Sequence, residues 1–294
     1  MYPTTSPPAS AGADFVPVAG AGGLPKIALA AADGARAELY LHGAHVTSWI
    51  PAGEGEERLF LSSRSQYVPG VPIRGGVPVS FPQFASEGPL PKHGFARITS
   101  WQLIRAGRHD GDAASALLRL TDSDATRALW PHRFLAELTV TIAGRTLEVA
   151  LVVNNNGEAS FTFTGALHTY LRVADVREAA VRGLQHARYR DSVLDQDGLV
   201  EPARDLRIVG EIDRVYHAAP EDLQVREPAR TMAARGIGFP DTVIWNPGER
   251  GGAALKDLEP GGFARMLCVE AAVVRSPVTL KPGERWSGMQ TLTA

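Results

Sequence analysis

Short segments with apolar residues at alternate positions, separated by turns, dominate the chain from about residue 13 onward. In "FLAELTVTI", Phe134, Ala136, Leu138, Val140 and Ile142 share one face of an extended segment, and Glu137, Thr139 and Thr141 share the other. The turn "AGR" follows and "TLEVALVV" returns, so the pattern predicts an antiparallel hairpin, closed at its far end by "NNNG". Comparable units recur at "AELYLHGAHVTSWI", "ERLFLSS", "ASFTFTGALHTYLRV", "RMLCVEAAVV" and "VTLKPGERWSGMQTLTA". Helical periodicity is sparse: "DSDATRALW" offers about two turns with an Asp available as cap. The expected fold is therefore all-β, a large antiparallel β-sandwich with few short helices. No internal repeat or long polar linker divides residues 13–294, which are expected to form one domain, preceded by a loose Pro, Ser, Thr and Ala-rich arm over residues 1–12.

Composition narrows the partners. At 294 residues and 44% hydrophobic, the chain has material for a sizeable core. Thirty basic residues against 32 acidic ones leave a net charge of −2, so no whole-chain field draws it to nucleic acid or to an acidic membrane. A single cysteine, Cys268, forbids an internal disulfide and cannot build a cysteine-rich metal site. The first residues lack a basic segment followed by an apolar run, and no stretch reaches membrane-span length. The expectation is a cytoplasmic protein, monomeric by default.

Against this near-neutral background, "LPKHGFAR" gathers Lys92, His93 and Arg97 on one turn-rich stretch, and "IRGG" places Arg74 in another Gly-rich loop. Guanidinium groups bind phosphate in bidentate fashion and lysine adds a point charge, so the cluster suits an anion, although solvated surface charges would read the same way. His168 lies in "FTFTGALHTYLRV"; if that is one strand, it shares a small, polar face with Thr162, Thr164, Ala166 and Tyr170, the lining of a hydroxyl-rich cleft. The alternative reading is a hydrogen-bonded core or surface histidine. Glu270 is the only charge between Met266 and Val274. Burial there would raise its pKa toward that of a general base, unless it pairs with Arg265 or Arg275. His42 and His45 are three apart, which on a strand puts them on opposite faces, so they read as structural rather than metal-ligating. No glycine-rich phosphate loop, dinucleotide fingerprint or H-E-x-x-H motif is present.

Seven blocks in order, "PIRGGVPVSFPQF", "LPKHGFAR", "SDATRALWPHRF", "GALHTYLRV", "IDRVY", "DTVIWNPG" and "MLCVEAA", resemble those of the hexose-6-phosphate mutarotases, the glucose-6-phosphate 1-epimerases of the wider aldose 1-epimerase superfamily. The resemblance runs over about residues 20–294 and implies a large antiparallel β-sandwich. It implies that His168 is the general acid and Glu270 the general base. Arg74, Lys92 and Arg97 fall at positions that bind substrate and its phosphate, Asp213 at a carboxylate that holds sugar hydroxyls, and His93 at a second sugar-contacting histidine. Asp241 and Trp245 are implied to lie near the cleft. Where relatives carry an aromatic-rich "WPWFG"-like run this chain has "FPQFA", so Gln83 and Ala85 replace an aromatic and a glycine, a change that bears on sugar preference. The implied reaction needs no metal or redox cofactor. Two rival readings share the fold: a mutarotase of unphosphorylated aldoses, and a non-catalytic sugar-phosphate-binding protein.

Overall fold

The computed structural model describes residues 15–108 and 111–294; the arm expected over residues 1–12 lies outside them. The strands form three antiparallel sheets, of nine, eight and four strands. The predicted hairpin is the centre of the nine-stranded sheet: Phe134–Ala143 pairs with Thr146–Asn155, and burial alternates residue by residue along both. The five apolar residues of the first strand are all sequestered in the main core, as their period-two spacing requires. At the far end, Asn155 is buried and its Nδ2 donates to the carbonyls of Ala159 (2.9 Å) and Leu280 (2.8 Å), so the side chain ties the turn to the neighbouring sheet. A small four-stranded sheet, Val18–Ala19 through His45–Ile50, adds a third unit to the two large sheets read from the sequence.

The eight-stranded sheet carries the functional residues. Across it run Gln196–Val200, Arg188–Asp191, Ile212–His217, Asp241–Asn246, Met266–Leu280, Phe161–Leu167 and Val79–Ser80, with Tyr170–Arg172 also paired to Met266–Leu280. Its register aligns a row of side chains: Asp213 opposite Trp245, Trp245 opposite Cys268, and Cys268 opposite Tyr170. The next row on the same face is Val215, Val243 and Glu270. Strand alternation thus places residues from four segments, about 100 positions apart in sequence at the extremes (Tyr170 and Glu270), beside one another on one surface.

Two local readings differ from the structure. The segment after Phe161 is two strands: the register shifts between Phe163 and Gly165, pairing stops at Leu167, and it resumes at Tyr170. Phe161, Phe163 and Leu167 still enter the core as expected, but the threonines do not line a cleft. Thr162 hydrogen-bonds Thr279 (2.8 Å) and Thr164 accepts from the Phe84 N–H (2.8 Å), so both hydroxyls are engaged locally. The helix Asp124–Leu129 is present, but its cap is Ser123, which forms a reciprocal capping box with Thr126. A second helix, Gly248–Ala254, has a glycine-rich sequence that carries no helical periodicity. At its start Asn246 Oδ1 accepts from the Gly248 N–H (2.8 Å), and Gly252 packs closely on Phe263, where a Cβ would stand 3.1 Å from the Phe263 Cβ.

Candidate active site

The stretch "LPKHGFAR" wraps against the end of the short strand Val79–Ser80. The N–H groups of Phe95 and Ala96 both donate to the Phe81 carbonyl at 3.1 Å, and the Gly94 backbone lies so close that a Cβ there would meet that oxygen at 2.2 Å. Glycine is therefore obligatory at this approach. Arg97 follows in a short 3-10 turn, Ala96–Ile98, and its Nη2 donates to the Lys92 carbonyl (2.8 Å), which binds both cations into one turn.

One cleft is lined by Arg74, Lys92, His93, Arg97, His168, Asp213, Trp245 and Glu270, together with Phe84 and Ser192. These include every residue to which the resemblance assigns a catalytic or substrate-binding part. Of the three residues expected nearby, only Trp245 lines it. Gln83 is buried behind: its Nε2 donates to the carbonyls of Ala85 (3.2 Å) and Leu90 (3.1 Å), and its Oε1 accepts from the Leu90 N–H (2.9 Å). It braces the loop that carries Ala85 and Lys92. Asp241 is also buried, and its Oδ2 accepts from the N–H groups of Val274 (2.8 Å) and Arg275 (2.7 Å), fixing the long strand rather than a ligand.

Glu270 and His168 face each other. Glu270 is 1% exposed, and its Oε1 lies 3.2 Å from His168 Nδ1. That contact is short enough for an ion pair but is not aligned as a hydrogen bond, and both Nδ1 and the second carboxylate oxygen, Oε2, are left without a hydrogen-bond partner. Neither arginine considered from the sequence neutralises the carboxylate: Arg265 pairs with Glu259 (2.5 Å) and Arg275 with Asp197 (2.5 Å). Burial, with a further push from Asp213, drives the Glu270 pKa well up, partly offset by Arg97. Burial drives His168 well down, and the field of His93, Arg97 and Arg74 adds to it. Both ions are disfavoured by burial, and the two groups titrate as a coupled pair. Cys268 brings its sulfur within 4.8 Å of ligand atoms of both partners. Burial and Glu270 hold the thiol protonated, however, and the neighbouring arginines oppose a cation, so the three do not form a prepared metal site.

The remaining groups have distinct electrostatic states. His93 Nδ1 accepts from the Ala85 N–H (3.3 Å) and lies 3.0 Å from Ser80 Oγ. Burial, Arg97 and Lys92 depress its pKa to about 2, so the ring is neutral and carries its proton on Nε2 as a donor. Asp213, on the opposite wall, is pushed up by burial, with Lys92 pulling the other way. Arg74 is held by Asp257, 3.1 Å from Nη2, and its Nη1 donates to the Tyr170 hydroxyl (2.9 Å). Arg97 has no carboxylate partner among the described residues, and its Nε is buried without a hydrogen bond. Lys92 is exposed and makes no ion pair among the described residues. Two cations without ion-pair partners among the described residues therefore flank Glu270 and His168. Outside the cleft, His42 and His45 are structural: their Nε2 atoms meet the carbonyls of Val71 (2.8 Å) and Gly75 (2.7 Å).

Sequence reasoning gave no role to Asp257 or to Tyr170 beyond its shared face. Asp257 follows the helix whose glycines hid it, whereas Tyr170 stands two residues from His168 in "HTY", a spacing that already put both side chains on one side.

The family model for aldose 1-epimerases matches residues 25–293. A protein of Cenchrus ciliaris named "Putative glucose-6-phosphate 1-epimerase" is 36% identical over 287 residues, 92% of this chain and 85% of its own length. A protein of Escherichia coli K12 with the same name is 38% identical over 244 residues, 81% of this chain and 79% of its own. The crystal structure of a "putative mutarotase" from Salmonella typhimurium superimposes with a TM-score of 0.84 at 30% identity, covering 92% of this chain and 90% of that one. With the family model matching nearly its whole length and relatives of 36–38% identity, the chain belongs to the aldose 1-epimerase family.

Proposed function

We propose that this enzyme interconverts the α and β anomers of an aldohexose 6-phosphate, glucose 6-phosphate foremost, with Glu270 as general base and His168 as general acid. The carboxylate takes the proton of the C1 hydroxyl while the imidazolium gives its proton to the ring oxygen, and the C1–O5 bond breaks to leave the open-chain aldehyde. Rotation about C1–C2 turns the other carbonyl face toward the C5 hydroxyl. On closure His168 recovers its proton from that hydroxyl as O5 attacks C1, and Glu270 returns its proton to O1. The cycle needs one proton shared by the pair and releases none. The open-chain stage leaves both groups neutral, the state that burial favours, so the site stabilises the reaction where charge separation would be most costly. Each proton transfer contributes on the order of 10² to 10⁴ in rate.

The observation that carries the phosphate assignment is Arg97, a partly buried guanidinium that forms no ion pair with a carboxylate among the described residues, beside Lys92. A neutral sugar would leave that charge uncompensated, whereas a phosphate would satisfy it. His93 Nε2–H and Asp213 offer a donor and an acceptor for sugar hydroxyls. A sugar-phosphate-binding module would have no use for a buried acid and base without other partners. The test is anomerisation of glucose 6-phosphate and of glucose followed by polarimetry, and the phosphate assignment falls if Arg97→Ala slows both sugars equally.

Among the described residues no helix is long and apolar enough to cross a membrane. We infer one domain over residues 13–294, acting as a cytoplasmic monomer without a cofactor, in keeping with a chemistry that uses side chains alone.

A further inference from the structure

Tyr170 touches both halves of the machinery without lining the cleft. Its ring stacks on the His168 imidazole, with centroids 4.8 Å apart and planes 9° from parallel. Its hydroxyl accepts from Arg74 Nη1 at 2.9 Å. The position is itself over-determined. Tyr170 is 2% exposed, pairs with Cys268 across the sheet, and meets Trp245 edge to face at 6.0 Å. Trp245 in turn stands edge-on to His168 at 5.9 Å, so the imidazole is boxed by one aromatic face and one aromatic edge. The backbone between Tyr170 and His168 is pinned as well, because the Val269 N–H donates to the Thr169 carbonyl (3.0 Å) and the Tyr170 N–H donates to the Gly76 carbonyl (2.9 Å), next to the Arg74 loop.

His168 lacks the usual device for orienting a catalytic imidazole, since its Nδ1 makes no hydrogen bond. Apart from the 3.2 Å approach of Glu270 Oε1, the ring is aimed by packing. From these contacts we infer that Tyr170 is a positioning residue with two separable functions: the ring fixes the plane of the His168 imidazole, and the hydroxyl fixes the Arg74 guanidinium, setting the distance between the acid and the anion-binding wall. The inference rests on the acid/base reading of the cleft. It differs from a general packing role because its two parts should fail independently.

Two variants separate them. Tyr170→Phe keeps the stack and removes the hydroxyl while Asp257 still holds Arg74, so KM for glucose 6-phosphate should rise about three- to tenfold, the scale of one ordinary net hydrogen bond, with kcat changed by less than about twofold. Tyr170→Leu removes the stack, so kcat should fall by about tenfold or more for glucose 6-phosphate and glucose alike, as expected when a reacting group loses its alignment. An arm independent of turnover is NMR of the imidazole. The His168 ring protons should keep their aromatic-shielded shift in Tyr170→Phe and move downfield in Tyr170→Leu. Equal effects of the two variants on kcat and KM, or a His168 shift unchanged in Tyr170→Leu, would overturn the inference. Absence of turnover in the wild type would instead overturn the functional reading, with the NMR arm still deciding whether the stack aims the imidazole.

Discussion

Replacing Arg97 by methionine should cost the enzyme its phosphate preference and return stability to the fold. The guanidinium has one hydrogen bond, to the Lys92 carbonyl, a buried Nε with none, and no balancing carboxylate among the described residues. Two hydrogen bonds to phosphate, at about 1.5–3 kcal/mol each for charged partners, give a loss of about 3–6 kcal/mol. Retained attraction from Lys92 and rearranged water should reduce this to the lower end, or a fall of about 10² in kcat/KM for glucose 6-phosphate. Glucose, which lacks the group, should lose less than about threefold. In the free enzyme the same substitution removes a partly buried, unpaired cation, and methionine refills most of its volume, so stability should rise by about 0.5–2 kcal/mol, a Tm gain of a few degrees. The assays are polarimetric kcat/KM for both sugars and a denaturant titration of the ligand-free protein. A variant that loses both sugars equally, or that is destabilised while losing only the phosphate ester, would refute the view of Arg97 as a cation held in reserve for an anion.

Three further outcomes follow from the charges and braces described. His45 is fully enclosed with a pKa depressed to about 3, so below pH 6.5 the unfolded chain takes up a proton that the native state refuses. Stability relative to His45→Gln should therefore fall by about 1.6 kcal/mol between pH 6.5 and 5.0 in urea titrations, and a constant difference would contradict the burial argument. Because burial lowers His168 and raises Glu270, kcat should hold a broad plateau through neutrality, with its acid limb well below the ordinary histidine value; a limb centred at 6.5 would contradict the one-proton pair. Gln83→Met removes three hydrogen bonds of the Ala85–Leu90 loop and should raise KM several-fold at nearly constant kcat in steady-state assays, while an effect on kcat alone would place Gln83 in the chemistry instead.

Strand periodicity made the large sheets legible because one face of each strand is buried, as in Phe134–Ala143. Glu270 was legible for a related reason: a lone charge in an apolar strand has few places to go, and the structure puts it against His168. What could not be read was the set of contacts that depends on register across segments distant in sequence. The row Asp213, Trp245, Cys268 and Tyr170 exists only once four strands are paired. The break at His168 and Thr169 was hidden because "GALHTYLRV" alternates well enough to pass for one strand. Gln83 and Asp241 were drawn toward the cleft by their neighbours in the motifs, yet a buried polar side chain is as readily consumed by backbone groups as by a ligand, and both are.

The central claim is that Glu270 and His168 pass one proton back and forth across a sugar ring. Glu270→Gln is the sharpest probe, since it keeps the shape and hydrogen-bonding capacity of the neutral carboxyl while abolishing proton uptake. Exchange NMR of the anomeric protons of glucose 6-phosphate measures the interconversion directly at equilibrium. The wild type should broaden or exchange the α and β signals, and Glu270→Gln should slow that exchange by about 10² or more while still binding the sugar phosphate. Exchange at the wild-type rate in Glu270→Gln would remove the carboxylate from the reaction and with it the mechanism derived from this cleft.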